Sequence, residues 1–268
     1  IRFTILMVMT ILVTAGGYVI NDLQDLNTDL VNKPRKRVIG TLISPRSAQL
    51  MYLTINAIAL LLATYLVYKA QSFNVLALCA SCILILWAYS RYFKSSLLMG
   101  NVIVSLLIAV VPFIFVIVEA NSFTELYTKD QALYQSSYST IISFTIFAFL
   151  SNLIREIVKD CEDMEGDQRT GVTTLATAVG YRKSDIANQV LTLRLLIAAI
   201  LWLFLKNITG SIIELSIFVF IVIFPIIFLF LNLRKHDRNK AKYTSLSRHL
   251  KLMMILGLIY LFIHLNML

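Results

Sequence analysis

Cysteine, histidine and charged residues are scarce in this chain of 268 residues, and each scarcity excludes a class of protein. Three cysteines cannot form a disulfide framework, and Cys79 and Cys82 lie in an apolar run that predicts buried thiols. His236, His249 and His264 are separated from one another and from the acidic clusters, which argues against a histidine metal site. Only 15% of the residues are charged, and no soluble basic segment offers the aromatic surface that nucleic-acid binding needs.

Apolar residues are abundant instead: they make up 58% of the chain, and its mean hydropathy of +0.78 exceeds that of a soluble domain. Eight apolar segments reach about 20 residues, the length of helix that crosses the hydrocarbon core of a bilayer. They cover residues 1–20, 48–68, 73–92, 98–118, 138–158, 186–206, 211–233 and 250–268. The sequence therefore predicts an all-α, polytopic transmembrane helical bundle.

Lysine and arginine are distributed unevenly between the connections of this bundle. Of the 24 basic residues, 19 fall in alternate connections, within residues 33–46, 91–94, 155–183 and 234–251. The positive-inside rule places these connections on the cytoplasmic face. The net charge of +9 fits this orientation and an attraction to anionic membrane lipids. We therefore predict a multi-pass integral membrane protein with its active-site loops on the cytoplasmic face.

Two stretches on that face carry aspartates at the same spacing, Asp-x2-Asp-x3-Asp. The members of the two sets are Asp22, Asp25 and Asp29 in NDLQDLNTD, and Asp160, Asp163 and Asp167 in DCEDMEGD. Side chains three and four residues apart share one face of a helix, where like charges repel unless a cation binds them. One such cluster would merely suit a helix end, whereas two clusters of the same spacing favour a functional site.

The pattern predicts a site for Mg²⁺ and a diphosphate. All-oxygen ligands suit Mg²⁺, which is usually held by a few carboxylates together with substrate phosphates. Basic residues near both sets would add direct contacts to an anionic substrate. They are Lys33, Arg35, Lys36, Arg37, Arg91, Lys94, Arg155 and Lys159. A cavity within the apolar bundle would hold the lipid half of that substrate.

These motifs resemble those of the UbiA-type intramembrane prenyltransferases. The family's first motif, Asn-Asp-x2-Asp-x3-Asp, is matched by GGYVINDLQDLNTDLVNKP, and its second by REIVKDCEDMEGDQRTGVTTLATAVG. Its Tyr, Ser and Lys loop is matched by YSRYFKSSLLMGN. The resemblance covers nearly the whole chain, and the motifs occur in the same order as in the family. The chain differs from the family's pattern at Val38, which replaces the second proline of the basic region.

The resemblance implies a bundle of nine transmembrane helices around a central cavity, of which eight are visible in this sequence. It also implies Mg²⁺-dependent transfer of a prenyl group from a polyprenyl diphosphate to a lipid or aromatic acceptor in the membrane. The first motif follows the first apolar segment here, whereas it follows the second helix in the family. We therefore expect residues 1–268 to form a single transmembrane prenyltransferase domain that lacks the family's first helix.

Matching the motifs residue by residue implies roles for individual side chains, with Asp25 and Asp163 as the catalytic pair. Metal ions and diphosphate would be held by Asn21, Asp22, Asp25, Asp29, Asp160, Asp163 and Asp167. Substrate contacts would come from Lys33, Arg35, Tyr89, Ser90, Lys94, Asn101, Arg155 and Lys159. Because Arg155 and Lys159 share a helix face with Asp163, a helix-end salt bridge is an equal alternative for these two cations.

The acceptor follows from the second motif, which most resembles the branch of archaeal geranylgeranylglyceryl phosphate prenyltransferases. Aromatic quinone precursors, the acceptors of related branches, are the alternative. A CDP-alcohol phosphotransferase would need one continuous motif that begins Asp-Gly, which the chain lacks. A divalent-cation transporter would more often carry its carboxylates near the membrane midplane, whereas these lie at helix ends beside basic residues.

Glycine and phenylalanine predict local structure. Gly166 and Gly171 predict a sharp turn in the second motif, and Gly180 predicts the end of a short helix. The phenylalanine-rich stretches 144–149 and 218–230 could line a prenyl channel, but their composition favours core packing or lipid contact, and the sequence alone does not assign them.

Overall fold

The computed structural model describes residues 2–26, 29–30, 37–70, 73–206, 208 and 211–267. Within these ranges the chain forms nine α-helices and no β-strand, which confirms the all-α prediction. The helices are α1 (Arg2–Gln24), α2 (Pro45–Ala70), α3 (Asn74–Ala88), α4 (Met99–Val118), α5 (Ala120–Lys129), α6 (Gln131–Thr170), α7 (Leu175–Leu205), α8 (Ile212–Leu233) and α9 (Lys240–Met267). A π-helical turn, Tyr89–Phe93, follows α3, and a second, Val219–Ile223, lies within α8.

Within the described ranges, eight segments are long and apolar enough to cross a membrane: every helix except α5, with α3 counted together with the π-helical turn that follows it. Helix α5 has ten residues, lies between α4 and α6, and was not predicted from the sequence. Large apolar side chains face outward along the spanning helices; Leu61 and Phe220, for example, are 69% and 76% exposed. Such a surface suits contact with lipid, so the prediction of a multi-pass membrane protein is confirmed.

Local residues determine where α6 and α7 begin. The Asp130 carboxylate accepts a hydrogen bond from the Leu133 amide at 2.9 Å and so caps α6. Thr174 and Thr177 form a reciprocal capping box at the start of α7. Helix α6 ends at Thr170 and is followed by Gly171, whose φ of 72° is left-handed and favours glycine. The predicted turn at this glycine is therefore confirmed.

The second aspartate set lies on an unbroken helix. Gly166 is inside α6, so the prediction of a turn at this position is wrong. Helix α6 has 40 residues and is about 60 Å long, roughly twice the thickness of the hydrocarbon core. It therefore continues well past the apolar run 138–158 and carries the aspartates on its last turns. Gly180, with φ of 77°, separates a short first segment of α7 from the rest of that helix, as predicted.

The spanning helices form two four-helix units, each with its own apolar core. Helices α1 to α4 enclose a core that includes Met9, Ala63 and Cys79. Helices α6 to α9 enclose another that includes Leu195 and Leu250. Helices α4 and α6 pack against each other across the boundary between the units. Each unit carries one aspartate set, so the two sets lie on the two units that meet at this boundary.

Candidate active site

The first aspartate set continues the helical backbone at the end of α1. The Asp25 amide donates to the Asn21 carbonyl at 3.0 Å, and the Asp29 amide donates to the Asp25 carbonyl at 2.8 Å. Asp25 is buried, with 8% of its surface exposed, whereas Asp22 is exposed and Asp29 is half-buried. The helical spacing predicted for this set is thus present, and it directs Asp25 inward.

Lys94 joins the middle of the chain to this first set. Its Nζ atom donates to the Oδ1 atom of Asn21 at 3.1 Å and forms a salt bridge with the Asp25 carboxylate. The Nδ2 atom of Asn21 also donates to Oδ2 of Asp25, at 2.9 Å. These three side chains, predicted separately from their motifs, therefore form one hydrogen-bonded group.

A π-helical turn positions Lys94. The Lys94 amide donates to the carbonyl of Tyr89, five residues earlier, at 2.9 Å, and the buried Ser90 hydroxyl donates to the Leu86 carbonyl at 2.9 Å. Gly100, at the start of α4, allows close contact with this turn: a Cβ atom there would lie 2.7 Å from the Phe93 carbonyl oxygen. Such π-helical turns are frequent at functional sites.

We expect the Gly100→Ala variant to lose both stability and activity. Its methyl group would push α4 away from the Phe93 carbonyl, and overpacking of this kind costs about 1–3 kcal/mol. The displacement would also move Asn101, the next residue. Thermal unfolding in detergent and an activity assay measure the two effects. The Met99→Ala variant is the control, because Met99 is 55% exposed; an unchanged unfolding midpoint in Gly100→Ala would contradict the expectation.

The second aspartate set is fixed by contacts between α4 and α6. The Nδ2 atom of Asn101 donates to Oδ2 of Asp160 at 2.7 Å. One turn deeper, the amide of Asn152 donates to the Ser105 hydroxyl at 3.2 Å, and that hydroxyl donates to the Asn101 carbonyl at 2.6 Å. Asn152 and Ser105 are both buried and were not predicted as site residues. They hold Asn101 in place and, through it, Asp160.

Cations and one further carboxylate stand beside the second set. Arg155 pairs with Glu156, with Nη1 and Oε1 2.5 Å apart, so its salt bridge is not with Asp163. Lys159 lies in the electrostatic field of Glu156, Asp160 and Asp163. Sequence reasoning did not assign Glu156 to the site, although it lies one helical turn before Asp160 and so shares its face.

A cavity of about 230 Å³ runs from these polar groups into the first helical unit. Six polar side chains line its mouth: Asn21, Tyr89, Lys94, Arg155, Glu156 and Lys159. The deeper wall is mainly apolar and includes Met9, Leu78 and Ile114, together with Cys79 and Cys82, while the hydroxyl-bearing Thr10 and Thr14 also line it. The part of α1 that lines the cavity, from Asn21 to Met9, is about 18 Å long. This shape suits a molecule with an anionic head and a long apolar tail.

The two thiols on this wall were predicted to be buried. Cys79 is buried, which confirms that prediction, and Cys82 is half-buried. Both are free thiols rather than a disulfide.

The sequence model of the UbiA prenyltransferase family matches residues 1–258. The chain belongs to the UbiA prenyltransferase family. The prediction of an intramembrane prenyltransferase is thereby confirmed, and the match favours prenyl transfer over the transporter and phosphotransferase alternatives.

Relatives of this UbiA-family chain include proteins named digeranylgeranylglyceryl phosphate synthase. That of Korarchaeum cryptofilum is 31% identical over 248 residues, which are 92% of this chain and 80% of that protein. That of Methanopyrus kandleri is 34% identical over 173 residues, or 65% of this chain and 56% of that protein. A solved structure from work on digeranylgeranylglyceryl phosphate synthase in membranes has a TM-score of 0.70 and 25% identity, and covers 100% of this chain and 86% of that one.

Most residues predicted for the UbiA site lie in or beside the cavity mouth. Asn21, Tyr89, Lys94, Arg155 and Lys159 line it. Asp25, Ser90, Asn101 and Asp160 contact a neighbouring side chain or backbone around the mouth. Asp163 is half-buried and Asp167 buried, farther along the same helix. Lys33 and Arg35 lie outside the described residues. The roles assigned to these side chains stay predictions.

The oxygen donors of this UbiA site fit a metal that the substrate helps to hold. Among the residues that the structure describes, no three His, Cys, Asp or Glu side chains gather closely enough to bind a metal ion by themselves. Mg²⁺ usually relies on one or two carboxylates, several waters and substrate phosphates rather than on an all-protein cage. Asp25 on one side, with Asp160 and Asp163 on the other, offers donors for such a shared complex.

Proposed function

We propose that this protein transfers a geranylgeranyl group from geranylgeranyl diphosphate to geranylgeranylglyceryl phosphate, which yields digeranylgeranylglyceryl phosphate. The observation that carries the proposal is the cavity, with its carboxylates and cations at the mouth and its apolar wall along α1, α3 and α4. The names of the two related synthases support this choice of donor and acceptor.

The reaction would proceed as an electrophilic alkylation. The bond between the first prenyl carbon and the diphosphate oxygen breaks, and the pyrophosphate departs with the electron pair. The acceptor hydroxyl oxygen then bonds to the resulting allylic cation and loses its proton. Lys94, Arg155 and Lys159 stand where they would bind the negative charge of the leaving group. The apolar wall would exclude water, which would otherwise capture the cation.

Mg²⁺ belongs to this proposal as the cofactor. When bound, it would neutralise charge on the departing diphosphate, which is the electrophilic role of a metal ion. Asp25, Asp160 and Asp163 are the residues that would hold it, with the remaining aspartates of the two sets and Asn21 around them. In this structure the Asp25 carboxylate is paired with Lys94, and the Asp160 carboxylate accepts a hydrogen bond from Asn101.

The proposal also includes the orientation of the protein in the membrane and the residue range of its domain. The lysine and arginine distribution supports a cytoplasmic location of the cavity mouth. The family match over residues 1–258 supports one transmembrane prenyltransferase domain for residues 1–268.

Product analysis with purified protein tests the proposed reaction. The protein, reconstituted with Mg²⁺ and geranylgeranyl diphosphate, would be offered geranylgeranylglyceryl phosphate, glycerol 1-phosphate, 4-hydroxybenzoate and a dihydroxynaphthoate. We expect one geranylgeranyl unit to be added to the glyceryl phosphate lipid alone, and EDTA to abolish the product. Addition to an aromatic acceptor instead would assign the protein to a quinone-forming branch. Absence of any Mg²⁺-dependent product would overturn the proposal.

A further inference from the structure

A second cavity lies in the other helical unit and plays no part in the proposed reaction. It also measures about 230 Å³, and its walls come from α6, α7, α8 and α9. Its inner end is closed by Trp202, Phe218 and Tyr260, which pack ring against ring at centroid distances between 5.0 and 5.7 Å. No Asp, Glu, Lys or Arg lines this cavity among the residues that the structure describes. Its interior therefore suits a hydrocarbon chain.

The cavity opens sideways between spanning helices. Three of its lining residues, Ile146 on α6 and Leu201 and Leu205 on α7, are 43%, 58% and 70% exposed on the outer surface. Phe144 and Phe147 line the same wall, so part of one phenylalanine-rich stretch borders a cavity rather than only lipid. Because the surrounding helices cross the membrane, the opening faces the lipid phase. A chain from the bilayer can enter without crossing water.

A cation lies just beyond the residues that line this cavity, next to Leu205 in the sequence. Lys206 directly follows Leu205, and its Nζ atom donates to the Ser136 carbonyl at 2.6 Å and to the hydroxyls of Ser136 and Ser139 at 3.1 and 2.9 Å. Within the described ranges Lys206 has no carboxylate partner. Partial burial lowers the pKa of its ammonium group from the usual value. A charge in this position favours an anion that can approach from the membrane surface.

We infer that this cavity is a binding site for an anionic phospholipid of the bilayer, whose headgroup phosphate contacts Lys206 and whose hydrocarbon chain fills the space beside Trp202. The Ser136 and Ser139 hydroxyl oxygens accept hydrogen bonds from Lys206 and hold its ammonium group in place. The combination of an apolar cavity and a neighbouring cation that has no carboxylate partner among the described residues selects an anionic lipid over a neutral one.

The site is separate from the catalytic cavity. Ser136 and Asp160 lie at opposite ends of α6, with about 36 Å of helix between them. A lipid bound at Lys206 therefore cannot share the phosphate-binding groups of the proposed reaction. Its occupancy would instead stabilise the packing of α6, α7 and α9, the helices on which the second aspartate set and its neighbours depend.

Tryptophan fluorescence can detect the lipid chain, because the protein has only two tryptophans. Trp87 lies in the first unit, so a Trp87→Phe variant leaves Trp202, which is 9% exposed, as the single reporter in the cavity wall. In nanodiscs of ordinary phosphatidylcholine we would titrate phosphatidylglycerol or phosphatidylcholine, each with brominated chains. We expect half-maximal quenching at about fivefold lower content of the anionic lipid than of the neutral one. This factor is the change in affinity that one lysine contact at a membrane surface provides.

Matched variants identify the side chains responsible for the lipid preference and for binding of the lipid chain. Lys206→Gln should remove the preference for the anionic lipid, Lys206→Arg should keep it, and Lys129→Gln should also keep it, because Lys129 is paired with Glu125 elsewhere. Ala198→Phe, which narrows the cavity, should weaken quenching by either lipid. Equal quenching by both lipids, a preference that survives in Lys206→Gln, or full quenching in Ala198→Phe would each overturn the inference. Prenyl transfer is not the readout, so these results stand apart from the proposed function.

Discussion

Replacing Asp25 or Asp163 by Asn should reduce prenyl transfer by about 10²- to 10³-fold, the usual effect of removing one group that stabilises charge in a transition state. The two residues lie on different helical units, at the end of α1 and on α6, and would hold the metal–diphosphate complex from both sides. Asparagine keeps the volume and one oxygen of aspartate, so the helices should remain folded. Initial rates at saturating Mg²⁺ and geranylgeranyl diphosphate measure the loss.

Asp130→Asn is the matched control for this prediction. Asp130 lies at the opposite end of α6 and caps that helix, and asparagine caps a helix about as well as aspartate. Its activity and unfolding midpoint should equal those of the unchanged protein. Full activity in both Asp25→Asn and Asp163→Asn would remove these residues from the catalytic role assigned to them.

The sequence was sufficient to predict the spanning helices, because each is encoded by a continuous apolar run about as long as the bilayer is thick. It was also sufficient for the helical face shared by Asp25 and Asp29, since the three- and four-residue spacing is a local property of the helix. The length of α6 was underestimated at both ends. The residues around Asp160 are too polar to count toward an apolar run, yet they continue the helix, and Gly166 did not interrupt it.

Contacts between distant residues could not be predicted in the same way. Nothing local in the sequence brings Lys94 to Asp25 or buries Asn152 against Ser105, because both contacts depend on how α1, α3, α4 and α6 pack. The close approach of Gly100 to the π-helical turn is another product of that packing.

Lys94 binds Asp25 and Asn21, two side chains that the proposed reaction needs for the metal ion and the diphosphate. It is half-exposed, and its ammonium group is bonded to Asp25 and Asn21 at the mouth of the cavity. A diphosphate would compete for the ammonium group, while a metal ion would compete for the carboxylate. We therefore expect the pair to separate when the substrate complex forms, so that Lys94 contacts phosphate as Asp25 turns to the metal.

Lys94→Met should therefore lower kcat/KM for the prenyl diphosphate by about 10²-fold, because a charge-assisted contact to the leaving group is lost. It should also destabilise the protein by about 1–3 kcal/mol, because Asp25 is then buried without its cation. Adding Asp25→Asn to Lys94→Met should restore the unfolding midpoint but not the activity, which separates the two effects. Arg91, which the sequence suggested as a contact for the anionic substrate, is exposed on the same π-helical turn and does not line the cavity. Arg91→Met should therefore change kcat/KM by less than about twofold, the range expected for a screened surface charge. Near-normal kcat/KM in Lys94→Met would show that this lysine only neutralises Asp25 and does not bind the diphosphate.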